Sequence, residues 1–103
     1  MDSHNPSSNY ILRIPDEIAG LIRGMHPQLK QKIKNALKKI ITKPYEGKSL
    51  RAELKGLKSY KVSRFRIIYR LSPNNCIEIV AIGPRKTIYE ITFYIINREK
   101  SGT

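Results

Sequence analysis

Tyr60-Lys61-Val62-Ser63-Arg64-Phe65-Arg66-Ile67-Ile68-Tyr69-Arg70-Leu71 is the stretch on which the fold turns. Phe65, Ile67, Tyr69 and Leu71 alternate with Arg64, Arg66, Ile68 and Arg70. A period of two marks a strand, here with one apolar face and one largely cationic face. Tyr60–Ser63 reads as a strand leading into it. Downstream, Ser72-Pro73-Asn74-Asn75 has the composition of a hairpin turn. Ile77–Ile82 is almost continuously apolar, as a central strand covered on both faces would be, and Gly83-Pro84 ends it.

Upstream, Tyr10-Ile11-Leu12-Arg13-Ile14 is a short run of β-formers stopped by Pro15. Asp16 and Glu17 suit the first turn of a helix, where the dipole favours anions. Ile18, Leu21, Ile22 and Met25 continue it at helical spacing, and Gly24 ends it. Pro27 opens a second helix, with Leu29, Ile33, Ala36, Leu37, Ile40 and Ile41 on one face and lysines over most of the rest; Pro44 stops it. Residues 44–58 read as irregular, with Leu50, Leu54 and Leu57 as anchors. Ile88–Ile96 has strand composition, but Thr87 and Glu90 form a capping-box pattern, and a short helix from 88 to about 97 is expected. The order is then β-α-α-β-β-β-α, an α+β domain with an antiparallel sheet. Residues 1–8 read as a disordered tail, 9–98 as one domain and 99–103 as a C-terminal tail.

At 103 residues the chain supports one small core. It carries 20 Lys and Arg against 8 Asp and Glu, a net charge of +12. The surplus is concentrated: residues 23–70 hold fifteen of the basic residues and only two acids, Glu46 and Glu53. Such a density implies a polyanionic partner, whether nucleic acid, acidic membrane or acidic protein. No apolar run reaches the roughly 18 residues of a membrane span, and the N-terminal residues lack the pattern of a secretory signal. The single cysteine, Cys76, excludes an internal disulfide and a multi-cysteine metal site and fits a cytoplasmic setting.

Several chemistries are unsupported. His4 lies in the tail and His26 before a helix, which argues against a two-histidine ribonuclease. The acids are scattered, there is no metal-ligand spacing, and no phosphate-binding glycine loop occurs. What remains is a set of cations and tyrosines: Lys61, Arg64, Arg66, Arg70, Arg85, Lys86, Tyr60 and Tyr89. Arginines interleaved with aromatics bind RNA through phosphate contact and stacking, with or without catalysis. Lys34 and Lys38, on the polar face of the second helix, are further candidates for RNA contact.

Lys55-Gly56-Leu57, Ser59-Tyr60-Lys61-Val62, Phe65-Arg66-Ile67-Ile68-Tyr69-Arg70 and Ile82-Gly83-Pro84-Arg85-Lys86-Thr87-Ile88-Tyr89 together resemble the RelE/ParE superfamily, the toxins of type II toxin–antitoxin pairs. The resemblance spans about residues 10–97. It implies a small curved antiparallel sheet with an N-terminal strand and helix hairpin packed on it and a short C-terminal helix. In RelE-like members it implies ribosome-dependent, metal-independent mRNA cleavage with no cofactor. In ParE-like members it implies inhibition of DNA gyrase without nuclease activity. A non-catalytic RNA-binding relative is a third reading. Carried over by motif, the catalytic set is Lys61, Arg66, Arg85 and Tyr89. Arg64, Arg70 and Lys86 would join Lys34 and Lys38 in RNA binding. Ser63 stands where some relatives have a second lysine, and Pro84 where many have histidine. The implied partners are an acidic antitoxin in a hetero-oligomer, the ribosome and mRNA.

Overall fold

The computed structural model describes residues 10–101. The expected tail at 1–8 lies outside them. The elements are β1 (Ile11–Arg13), α1 (Asp16–Arg23), α2 (Pro27–Thr42), β2 (Lys48–Ser49), a 3₁₀ turn at Ala52–Leu54, β3 (Leu57–Val62), β4 (Phe65–Ser72), β5 (Cys76–Pro84) and α3 (Ile88–Ser101). The expected α+β order is present, with β2 added. The strands form one sheet in the order β1-β5-β4-β3-β2.

The sheet is antiparallel from β2 to β5, as expected, but β1 runs parallel to β5, so it is mixed. The reason is connectivity. No hairpin ties β1 to its neighbour; the α1–α2 pair carries the chain from β1 to the far edge of the sheet, where β2 begins. β3 and β4, by contrast, are joined by the two residues Ser63-Arg64, with Ser63 at φ +54. At the β4–β5 turn, Asn74 and Asn75 both adopt positive φ, which asparagine tolerates better than most residues.

α2 follows its sequence signals closely. Pro27 occupies the first turn, and His26 Nδ1 accepts a bond from the Gln28 N–H at 3.3 Å. Lys43 has left helical geometry before Pro44. Ile33, Ala36, Leu37 and Ile40 are buried, joining Ile18 and Ile22 of α1 against Val62, Ile67, Tyr69, Ile77, Ile79 and Ile82 of the sheet. The other face of the sheet carries a second cluster: Leu57, Ile68, Val80, Ala81 and Ile88. The central strands are therefore apolar on both sides.

A bulge helps produce this. Ile68 pairs with Ala81 and Tyr69 with Ile79, leaving Val80 as the extra residue of β5. Val80 and Ala81 thus both contribute to the second cluster. That cluster is roofed by α3. Gly83 permits the close approach, since a Cβ there would meet Ile88 Cδ1 at 3.1 Å. The β-branched run 88–96 becomes helix because helical spacing delivers Ile88, Thr92, Ile95 and Ile96 to one face. The buried Thr92 hydroxyl is satisfied by donating to the Ile88 carbonyl at 2.7 Å. α3 runs through Ser101, past the expected end near 97 and into the segment read as C-terminal tail. Among the described residues no helix is long and apolar enough to cross a membrane.

Candidate active site

The face of the sheet under α3 is organised in rows by register. Lys61 of β3 pairs with Arg66 of β4, and Arg66 with Gly83 of β5. One row down, Ser59 pairs with Ile68 and Ile68 with Ala81. Leu57, Arg70 and Glu78 form the row beyond. Side chains two apart in a strand share a face, so Ser59 and Lys61 look the same way as Arg66 and Arg70. The cationic face expected of β4 is therefore interrupted at its centre. Ile68 is fully buried under α3, and the two arginines flank it.

Tyr89 enters this face from above. It lies in the first turn of α3, and its hydroxyl is 3.2 Å from Ser59 Oγ. Ser59 is itself buried. The Tyr89 phenol is held below the ordinary tyrosine range, first by the Ser59 hydroxyl, then by the Arg66 guanidinium, with a smaller contribution from the Lys48 ammonium; partial burial opposes all three. A hydroxyl hydrogen bond and nearby positive charge both favour the phenolate.

Arg85 and Lys86 are exposed in the β5–α3 turn. The Arg85 N–H donates to the Arg64 carbonyl at 2.7 Å, tying that turn to the tip of the β3–β4 hairpin. Arg64, Arg85, Arg66 and Lys61 thus occupy one end of the sheet. The hairpin tip receives one more cation: Lys32 Nζ of α2 donates to Ser63 Oγ at 3.2 Å. An ammonium from another element therefore stands beside Ser63.

Arg70 and the α2 lysines lie elsewhere. Arg70 sits at the other end of the face, its Nε on Glu78 at 2.7 Å and both terminal nitrogens on Glu99 at 3.1 Å. Its pKa is raised, chiefly by Glu99. It pins the end of α3 to β4 and β5, an arrangement suited to structure more than to RNA contact. Lys34 and Lys38 are exposed on α2, across the sheet from Tyr89. The structure thus gathers Lys61, Arg66 and Tyr89 on one face with Arg85, Arg64 and Lys86 at the same end.

Two further residues complete the site beyond the set expected from sequence. Ser59 was legible by alternation, two positions before Lys61. Lys48 was not, because a strand of two residues leaves no periodicity to read. Among the described residues no group of three or more His, Cys, Asp and Glu side chains is placed to hold a metal ion.

A family model for the ParE toxin of the type II toxin–antitoxin system parDE matches residues 8–89. Solved structures share the fold. The RelBE2 toxin–antitoxin complex from Mycobacterium tuberculosis aligns with TM-score 0.66 and 22% identity over 75% of this chain and 99% of that one. A variant of the E. coli toxin RelE in the free state aligns with TM-score 0.70 and 14% identity, covering 88% and 97%. The archaeal RelE–RelB complex from Pyrococcus horikoshii gives 0.62 and 15%, covering 75% and 96%. A comparison with curated proteins finds no match.

Proposed function

The chain belongs to the ParE toxin family of type II toxin–antitoxin systems, within the RelE/ParE superfamily, and from that premise we propose that it is a ribosome-dependent mRNA endonuclease. The observation that carries this reading is Tyr89. Its hydroxyl is hydrogen-bonded to a buried serine, its pKa is lowered, and it shares a sheet face with the neighbouring cations Lys61 and Arg66.

The chemistry follows from charge. The 2′-hydroxyl of the RNA attacks the adjacent phosphorus, forming the 2′-O–P bond and breaking the bond to the 5′-oxygen. Tyr89, whose pKa is lowered by Ser59 and Arg66, takes the 2′-proton. Arg66 and Arg85 stabilise the extra negative charge of the phosphorane, since guanidinium stays protonated and can grip two oxygens at once. Lys61, beside Arg66, supplies the proton that the departing 5′-oxygen needs. The products are a 2′,3′-cyclic phosphate and a 5′-hydroxyl. The setting is the cytoplasm, and the antitoxin that such a toxin requires is acidic, covering the cationic end by charge complementarity.

The test is single-turnover cleavage of mRNA on purified ribosomes. Wild type should cut within the A-site codon. Arg85→Ala should cut about 100- to 1,000-fold more slowly, the usual loss for one preorganised donor, with ribosome affinity reduced far less. Arg85→Lys should recover only part of the rate. Equal rates for Arg85→Ala and wild type would refute the mechanism. A second reading, inhibition of DNA gyrase, is favoured by the matching family model, which is that of ParE. It wins if wild type cuts nothing and blocks supercoiling by purified gyrase.

A further inference from the structure

Edge strand β2 brings one more cation to the Tyr89 face. Lys48 pairs with Ser59, and Ser49 with Lys58. The two faces of this short ladder are distinguished by their contacts. Ser59 Oγ meets the Tyr89 hydroxyl, whereas Lys58 Nζ donates to Ser49 Oγ at 3.0 Å on the opposite side. Cross-strand partners share a face, so Lys48 lies alongside Ser59 and Tyr89.

The backbone delivering Lys48 is fixed from below. Tyr69, fully buried in β4, donates its hydroxyl to the Pro44 carbonyl at 2.8 Å and accepts the Gly47 N–H at 3.1 Å. Both ends of the segment just before Lys48 are therefore held by one buried oxygen. Glycine is required at 47, because a Cβ there would run into the Tyr69 ring and hydroxyl. On the far side, the Leu50 N–H donates to the Leu57 carbonyl at 3.0 Å. An edge lysine can serve simply to keep a sheet from pairing with another. That role needs neither a fixed approach nor a particular face, and Lys48 has both.

Building on the endonuclease reading, we propose that Lys48 is a further substrate-contacting residue, whose ammonium binds an RNA phosphate on the side of Tyr89 opposite Arg66. The cations then run across the strands, from Lys48 on β2 past Ser59 and Lys61 on β3 to Arg66 on β4. The RNA backbone crosses the sheet in that direction, with Tyr89 between consecutive phosphate contacts. Lys48 also adds to the positive potential at Tyr89, so its removal acts on proton transfer as well as on binding.

The experiment uses ribosomes programmed with mRNA whose A-site codon carries 2′-O-methyl groups, which block the nucleophile. Toxin affinity is measured against salt for wild type, Lys48→Ala, Lys48→Arg and, as a control for loss of one charge, Arg23→Ala on α1. Single-turnover cleavage of unmodified mRNA is followed across pH in parallel. Lys48→Ala should bind several-fold more weakly and lose about 0.7 from the log–log salt slope, the share of one single-strand phosphate contact. Its cleavage arm should move to higher pH. Lys48→Arg should restore affinity and slope, and Arg23→Ala should match wild type. If wild type cuts but Lys48→Ala keeps its affinity, slope and pH profile, Lys48 is an ordinary edge lysine and this proposal alone falls. If wild type itself cuts nothing, the endonuclease reading fails first and takes the catalytic role of Lys48 with it.

Discussion

Arg66 and Arg70 are four residues apart on β4, point to the same face, and flank the same buried isoleucine, yet their surroundings are opposite. Arg70 is held by Glu78 of β5 and by both oxygens of Glu99 from the last turns of α3. Arg66 forms no ion pair with a carboxylate among the described residues; its guanidinium makes a long contact of 3.4 Å to the Phe65 carbonyl and lies against the Tyr89 hydroxyl, whose pKa it helps to lower. A guanidinium saturated by two carboxylates has little left to offer a phosphate. One that stands among further cations and beside a tyrosine hydroxyl keeps its donors for a phosphate, on the endonuclease reading. The two ends of the face thus divide the work. One fastens α3 to the sheet, and the other, with Tyr89 at the start of α3, is the end to which the proposed chemistry is assigned.

Alanine at each position tests that division most directly. Arg66→Ala should slow single-turnover cleavage by about 100- to 1,000-fold, with a urea midpoint close to wild type. Arg70→Ala should do the reverse. It leaves Glu78 and Glu99 facing one another without their cation, and stability should fall by about 1–2 kcal/mol, between the values for exposed and buried pairs because the three side chains are only partly screened by protein. Cleavage, corrected for the folded fraction, should be nearly retained. The division is broken if Arg70→Ala loses activity like Arg66→Ala at unchanged stability.

A smaller effect sharpens the chemical end. Ser59 is the largest cause of the lowered Tyr89 pKa. Ser59→Ala removes it, so Tyr89 should titrate at higher pH and less phenolate should be present at any given pH below that. The rising arm of the cleavage profile should move upward in pH, with a several-fold loss at neutral pH that shrinks as the solution becomes more alkaline. Tyr89→Phe should abolish that arm. An identical arm in wild type and Ser59→Ala would mean that Tyr89 is not the base.

The division was half legible in the sequence. Alternation in Phe65–Leu71 placed Arg66 and Arg70 on one face, and the motif from Ile82 to Tyr89 brought Arg85 and Tyr89 to the same region. Nothing local separates the two arginines, because the distinction lies in Glu78 and Glu99, eight and twenty-nine residues after Arg70. Ion pairs of that separation become visible only once strands are in register and α3 is docked. The direction of β1 escaped for a similar reason, since strand composition carries no orientation without a hairpin to set it. Lys48 escaped because its position depends on a buried hydroxyl of Tyr69, a contact between residues 22 apart at Gly47. By contrast α2 is legible nearly to its ends, because its stop signals and its apolar stripe are local.

The smallest expected effect concerns the basic surface outside this face. Lys34 and Lys38 stand one helical turn apart on the solvent side of α2, which packs on the other side of the sheet from Tyr89. They cannot share a phosphate with Arg66, but under the proposed function the protein would be surrounded by ribosomal RNA. Replacing both with Ala should weaken ribosome binding, reducing the salt slope by about 0.9 for each lysine that meets a phosphate of structured RNA. The loss should fall on affinity and not on the cutting step, since neither charge reaches the reacting atoms. Stability should change by less than about 0.5 kcal/mol, because both side chains are exposed and alanine suits a helix at least as well as lysine. Salt-dependent affinity and a urea titration of the double variant read both quantities. Unchanged affinity and slope would confine the RNA-binding surface to the sheet face under α3 and leave the lysines of α2 as a solvated helix face.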